Sequence, residues 1–149
     1  MTKKPVPKKP SREIIYGKYA GEYKANLHMA REAYISAALA ADMGETETKQ
    51  TLADIFRSWC DPAEGLAALE SDVREAGTNS VAASARAATR SIEHFGSLIL
   101  KAVTAHPEAR ENAIARVKAT YGATYRAYIQ FLYNASECIG SEAFLRDRL

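Results

Sequence analysis

The sequence predicts an all-α protein, an antiparallel up-down-up-down four-helix bundle, and three observations predict it. Alanine, the residue with the highest helix propensity, occurs 28 times among 149 residues, against 8 glycines and 5 prolines. Apolar residues recur at alternating steps of three and four residues, which is the heptad pattern of helices packed side by side. No stretch alternates apolar and polar residues with β-branched side chains, so no strand is expected.

The chain is predicted to hold a flexible basic tail at residues 1–11 and a single helical-bundle domain at residues 12–149. Residues 1–12 contain five bases and no acid, and three of the five prolines lie in the first ten residues. Proline disfavours helix and biases the preceding residue toward an extended backbone. No apolar run approaches the ~20 residues of a membrane span. We therefore expect a cytoplasmic protein without membrane insertion.

The first leg is predicted to begin at Ser11, a good N-cap residue, and to end near Met43, where Gly44 stops it. The second leg is predicted to be broken at Pro62, because Asp61 and Glu64 flank that proline as a capping box would. Gly77 is expected to end the second leg. The apolar positions of the first leg are Tyr16, Ala20, Tyr23, Leu27, Ala30, Tyr34, Ala37 and Ala41.

The third leg is predicted from residue 78 or 79 to about His106, and the fourth from Pro107 to about Ile139, with Gly140 as its stop. A last helical turn is expected to place Phe144 and Leu145 over the end of the bundle. The apolar positions of the third leg are Val81, Ala85, Ala88, Ile92, Phe95, Ile99 and Ala102. Those of the fourth leg are Ile114, Val117, Tyr121, Thr124, Tyr128, Phe131, Ala135 and Cys138.

All eight tyrosines lie on the first and fourth legs. In the predicted topology these legs are antiparallel neighbours, so six tyrosines are expected to gather at one end, as aromatic core, as the wall of a ligand pocket or as a partner surface. These six are Tyr16, Tyr19, Tyr23, Tyr125, Tyr128 and Tyr133.

Charge is distributed unevenly along the chain. Residues 42–75 carry nine acids and three bases, whereas residues 86–126 carry seven bases and three acids. These two regions are expected to pair within one molecule or between copies. The candidate contacts for a nucleic acid or an acidic partner are Lys3, Lys4, Lys8, Lys9, Arg86, Arg90 and Lys101.

The sequence contains no recognisable catalytic, cofactor-binding or metal-binding motif. Gly-rich phosphate loops, nucleophile elbows and zinc-type Cys/His spacings do not occur. Cys60 and Cys138 are expected ~20 Å apart along the bundle axis, too far for a disulfide, and therefore to be free thiols. His28 and His94 are expected on helix flanks, where they do not form the Glu-x-x-His pairs of bundle metal sites. We therefore expect no enzyme, cofactor or metal.

The favoured function is that of a non-enzymatic interaction or structural subunit, which self-associates or docks into a larger assembly. The fourth leg carries a second apolar line beside its heptad positions, and this line is the candidate interaction surface. Its residues are Tyr125, Ile129, Leu132 and Ile139. The alternative is an accessory nucleic-acid-binding protein that uses the basic tail and the arginines and lysines of residues 86–126.

Overall fold

The computed structural model describes residues 11–40 and 43–149, except for the side chains at positions 37, 40 and 60–64. All regular structure within these residues is helical, which confirms the predicted all-α class. The predicted basic tail lies outside the described residues, apart from Ser11. The helices are α1 (Arg12–Ala40), α2 (Glu45–Ala76), α3 (Asn79–Thr104), α4 (Pro107–Ile139) and α5 (Glu142–Arg146).

Local sequence signals account for the start of α1 and both ends of α4. The backbone N–H of Ile14 donates to Ser11 Oγ at 3.3 Å, which confirms Ser11 as the N-cap of α1. Pro107 opens α4, and Gly140 ends it in the left-handed conformation with φ of 68°. Glycine suits this position because a side chain disfavours that backbone conformation. Both ends of α4 are therefore those that the sequence predicts.

The predicted break at Pro62 is wrong, because α2 continues as a helix from Glu45 to Ala76. A proline inside a helix removes one backbone hydrogen bond and costs about 3 kcal/mol. Packing on both sides of the proline opposes this local cost. Trp59 and Leu66 are both buried in the core, at 3% and 0% exposure. The two halves of α2 are thus anchored by tertiary contacts that a local capping pattern does not reveal.

The long helices pack in sequence-adjacent pairs, and α1 also packs against α4. The start of α1 lies beside the end of α2, where Arg12 Nε donates to the carbonyl oxygen of Ala76 at 2.9 Å. It also lies beside the end of α4, where the hydroxyl of Tyr16 is 3.6 Å from Cys138 Sγ. Between α2 and α3, the rings of Trp59 and Phe95 pack with centroids 5.2 Å apart.

The core follows the predicted heptads most closely on α3, where all seven predicted positions are buried. On α1, Tyr19, Asn26 and Ala33 are buried as well, although the predicted heptad omits them. The short helix α5 buries Phe144 and leaves Leu145 half-buried, which confirms the expected last turn. A wide buried face on α1 is consistent with a helix that contacts both α2 and α4.

Asn26 is a fully buried polar residue on α1. Its side-chain nitrogen donates to the carbonyl oxygen of Glu22 at 2.9 Å. Its oxygen Oδ1 receives no hydrogen bond from the described part of the chain. A buried acceptor without a donor costs about 1–3 kcal/mol relative to a solvated one. The unpaired oxygen of Asn26 therefore lowers the stability of the core.

Replacing Asn26 with leucine is expected to raise the free energy of unfolding by about 1–2 kcal/mol, because the unpaired acceptor is replaced by apolar volume. Chemical denaturation of the Asn26→Leu variant, monitored by circular dichroism, measures this change. Asn26→Asp is the matched control, and it should be strongly destabilised because it places a charge in the core. A leucine variant less stable than the parent would mean that Oδ1 has a partner in solution, such as an ordered water.

Candidate functional site

The buried tyrosines form an aromatic cluster between α1 and α4. The rings of Tyr23 and Tyr128 are stacked, with centroids 5.4 Å apart and an interplanar angle of 2°. Tyr16 and Tyr19 both make T-shaped contacts with Phe131, with ring centroids 6.2 Å and 4.7 Å apart, respectively. The expected gathering of six tyrosines is thus correct for four of them. Tyr125 and Tyr133 are not part of the buried cluster, because they remain 45% and 49% exposed.

The hydroxyl groups of this cluster are already bonded within the protein. Tyr19 donates to the carbonyl oxygen of Ala85 and shares a contact with Thr89 Oγ1, both at 2.8 Å. Tyr23 donates to the carbonyl oxygen of Thr124 at 2.9 Å, and Tyr128 to that of Arg148 at 3.1 Å. The cluster is therefore aromatic core, with no tyrosine hydroxyl left over in it to bind a ligand.

Burial raises the pKa of each tyrosine in the cluster. The pKa values of Tyr16 and Tyr128 rise to about 12, in both cases chiefly because burial disfavours the tyrosinate. The pKa values of Tyr19 and Tyr23 rise further, again chiefly through burial. These hydroxyls stay protonated at neutral pH, so they act as hydrogen-bond donors rather than as bases.

The four residues of the candidate interaction surface on α4 differ in how exposed they are. Tyr125 is exposed, whereas Ile129 and Ile139 are half-buried. Leu132 is fully buried, and its assignment to a surface is wrong. It lies four residues after the buried Tyr128, on the same face of the helix, so it packs into the core. Tyr133, the next residue, is an exposed aromatic that the predicted surface does not include.

Tyr125, Ile129 and Tyr133 succeed one another at intervals of four residues, and we call them the α4 apolar line. Two of its members are exposed to nearly half of their area, and the third is half-buried between them. Residues four apart are neighbours on a helix surface. The line is therefore continuous over two helical turns, or ~12 Å.

The cationic candidates of α3 are all on the surface. Arg86, Arg90 and Lys101 are exposed, and none of them forms an ion pair within the described part of the chain. Lys101 also lines a cleft of about 290 Å³ between the end of α3 and the start of α4, together with Arg116. The other four candidates, Lys3, Lys4, Lys8 and Lys9, lie outside the described residues.

Arg110 behaves differently from the other bases of residues 86–126, because it is buried. Its guanidinium donates to the carbonyl oxygens of Ala102 at 3.4 Å and Ala105 at 2.8 Å, at the end of α3. It also lies 3.7 Å from the Glu45 carboxylate of α2. Arg110 therefore satisfies helix-end carbonyls, and it provides one contact between the acidic and the basic regions inside a single molecule.

The cysteine and histidine side chains do not assemble a reactive centre among the described residues. Cys138 is a free thiol, half-buried, and Arg12 Nη1 lies 3.8 Å from its sulfur. The side chain of Cys60 is not among those that the structure describes, so the separation of the two thiols stays a prediction. His28, His94 and His106 are exposed, and no group of three metal-ligating side chains occurs in the described ranges.

A groove of about 600 Å³ lies between α1 and α2. Its rim combines the cations Arg12 and Lys18 with the acids Asp72 and Glu75, and all four side chains are exposed. Ion pairs between solvent-exposed side chains are weak, because water solvates both charges. The groove therefore provides neither a buried acid–base pair nor a built ligand site.

Among the helices of residues 11–40 and 43–149, none is both long enough and apolar enough to cross a lipid bilayer. Comparison of the chain with protein-family models, with curated proteins and with solved structures finds no match.

Proposed function

We propose that this chain is a non-enzymatic helical subunit that associates with itself or docks into a larger assembly. Its four long helices would form an up-down-up-down antiparallel bundle, with α5 placed over one end. The pairwise packing of the helices and the contacts of the α1 start with the ends of α2 and α4 support this arrangement. In such a bundle, α4 has an outer face that is free to meet a partner.

The observation that carries the proposal is the exposure of two tyrosines on the α4 apolar line. Tyr125 and Tyr133 are 45% and 49% exposed, while the other six tyrosines of the chain are buried or half-buried. Tyrosine is enriched at the centres of protein interfaces, where its ring is buried and its hydroxyl remains bonded. A partner that covers this line would bury both rings together with Ile129.

The proposal predicts that the wild-type protein associates in solution and that the double variant Tyr125→Ser/Tyr133→Ser associates about 30- to 900-fold more weakly. The reason is that each buried interface aromatic contributes on the order of 1–2 kcal/mol. Light scattering and native mass spectrometry over a range of protein concentrations measure the stoichiometry and the affinity.

Leu39→Ser/Leu100→Ser is the matched control, because both leucines are exposed apolar residues on other helices. This control should associate like the wild type. The proposal fails if the wild-type protein stays monomeric at high concentration and retains no partner from a lysate of its host. It also fails if the two double variants lose association equally.

A further inference from the structure

The outer face of α3 carries a row of three cations and one histidine that the α4 apolar line does not explain. Arg86, Arg90, His94 and Lys101 lie within about 80° of one another around the helix, since successive residues turn by ~100°. All four side chains are exposed. The row extends from Arg86 to Lys101, which is fifteen helical steps or ~22 Å. We call these four residues, together with Arg116 of α4, the α3 cationic row.

Arg116 extends the row across to the neighbouring helix. It shares with Lys101 the cleft of about 290 Å³, whose other walls include Asn112 and the small residues Ala105, Ala109 and Ala113. Small side chains on the floor leave both cations accessible, and Asn112 adds a neutral hydrogen-bonding group. The cleft thus offers two positive charges and an amide at one end of the row.

The cations of the row are available because the described residues do not neutralise them. Within these residues, no ion pair involves Arg86, Arg90, Lys101 or Arg116. The acid of α3 nearest to the row is Glu93, which is exposed and follows Arg90 by three residues. Within the described residues it forms no ion pair with a cation of the row. Glu111 of α4 lines a different cleft, with Glu45 and Met43.

We propose that the α3 cationic row binds the phosphodiester backbone of a nucleic acid duplex. Arginine and lysine bind phosphate through charge-assisted hydrogen bonds, and release of condensed counterions drives such binding. Phe95 of α3 is fully buried, so α3 offers unpaired bases only the His94 imidazole for stacking, and this favours a duplex over a single strand. Contacts of this kind read the backbone and not the base sequence.

This surface is distinct from the α4 apolar line, so the two proposals can fail separately. A self-associating subunit that also holds a duplex would present one cationic row from each copy. Two rows joined in one assembly raise the apparent affinity for the duplex without any new type of contact. Because the α3 cationic row and the α4 apolar line are separate surfaces, substitutions in the row should leave the number of protein copies in the assembly unchanged.

The test measures binding of the full-length protein to a DNA duplex and to an RNA duplex of the same sequence, at salt concentrations from 50 to 200 mM. Removing two phosphate contacts should lower the slope of log affinity against log salt by about 1.8. For the double variant Arg86→Ala/Arg90→Ala we therefore expect this smaller slope and at least tenfold weaker binding at the lowest salt. The two duplexes should bind with similar affinities, because they share the backbone phosphates.

Lys24→Ala/Lys49→Ala is the matched control, since it removes two exposed cations from α1 and α2 and leaves the row intact. It should bind within about twofold of the wild type. Equal losses in the two double variants would overturn the proposal, because net charge alone would then account for binding. Failure of the wild type to bind either duplex at low salt would overturn it as well. So would tighter binding of poly-glutamate than of duplex, which would identify an acidic protein as the partner.

Discussion

Raising the pH above 10 is expected to unfold the protein cooperatively, because its core holds tyrosines that resist ionisation. The ordinary tyrosine pKa is 10.0, and burial raises the pKa values of Tyr16 and Tyr128 to about 12. The pKa values of Tyr19 and Tyr23, whose hydroxyls are bonded inside the core, are raised further. In the unfolded chain all four side chains ionise near pH 10.

Proton linkage determines whether the free energy of unfolding rises or falls with pH. Below pH 10 the tyrosines are protonated in both states, so their stabilising effect on the folded form is fully present. Above pH 10 the unfolded chain loses protons that the folded core retains, and the free energy of unfolding falls. Tyr19 and Tyr23 together lower it by about 3 kcal/mol per pH unit. Domains of this size have a total stability of about 5–15 kcal/mol, so ~2 pH units can unfold a protein at the lower end of that range.

Tyrosinate absorbance and helical circular dichroism, recorded together during an alkaline titration, measure the effect. The absorbance change of the four cluster tyrosines should coincide with the loss of the helical signal, and any earlier rise in absorbance should come from the four tyrosines outside the cluster. Tyr19→Phe/Tyr23→Phe is the control. It loses hydrogen bonds at neutral pH, but its stability should decline with pH less steeply by about 3 kcal/mol per unit. Gradual ionisation of all eight tyrosines near pH 10, with the helices intact, would contradict the burial of the cluster.

The sequence predicts best those features that depend on local chemistry and helical periodicity. The seven heptad positions of α3 are buried as predicted, because one amphipathic face meets the core along the whole helix. Both ends of α4 were predicted as well, since Pro107 and Gly140 act within a single turn. The exposure of Arg86, Arg90 and Lys101 follows from the same periodicity, because they lie off the apolar positions.

The features that the sequence does not predict depend on tertiary neighbours. Whether α2 continues through Pro62 depends on anchors such as Trp59 and Leu66, and not on the capping pattern around the proline. Leu132 lies beside the heptad positions and is buried, whereas Tyr133, the next residue, is exposed. The pairing of Arg116 with Lys101 in one cleft requires the register between α3 and α4.

A side chain added at Gly96 is expected to destabilise the protein, although glycine is a poor residue for the middle of a helix. Gly96 lies on α3 against the indole of Trp59, from α2. A Cβ atom there would be 2.5 Å from Trp59 Nε1 and 2.8 Å from Cδ1. Trp59 is 3% exposed and packs on Phe95, so its rigid ring has little room to move. Gly96 thus allows α2 and α3 to approach closely.

Two opposing effects determine how much a substitution at Gly96 changes the stability of the protein. Replacing a mid-helix glycine with alanine gains about 1 kcal/mol of helix propensity. Overpacking a core typically costs 1–3 kcal/mol. Valine at the same position is larger and β-branched, so its clash is greater and its propensity gain smaller. We therefore expect a net loss of up to about 2 kcal/mol for Gly96→Ala and about 3 kcal/mol for Gly96→Val.

Denaturant unfolding of these variants measures the loss, and the chain offers a control within α1. Gly21 is exposed and has no atom within 4 Å of an added Cβ. Gly21→Ala should therefore be stabilised by about 1 kcal/mol through helix propensity alone. The Trp59→Leu change should cost less in the Gly96→Ala background than in the wild type, because the smaller side chain relieves the clash. If Gly96→Ala gained as much stability as Gly21→Ala, the close approach of α2 to α3 at Trp59 would be refuted.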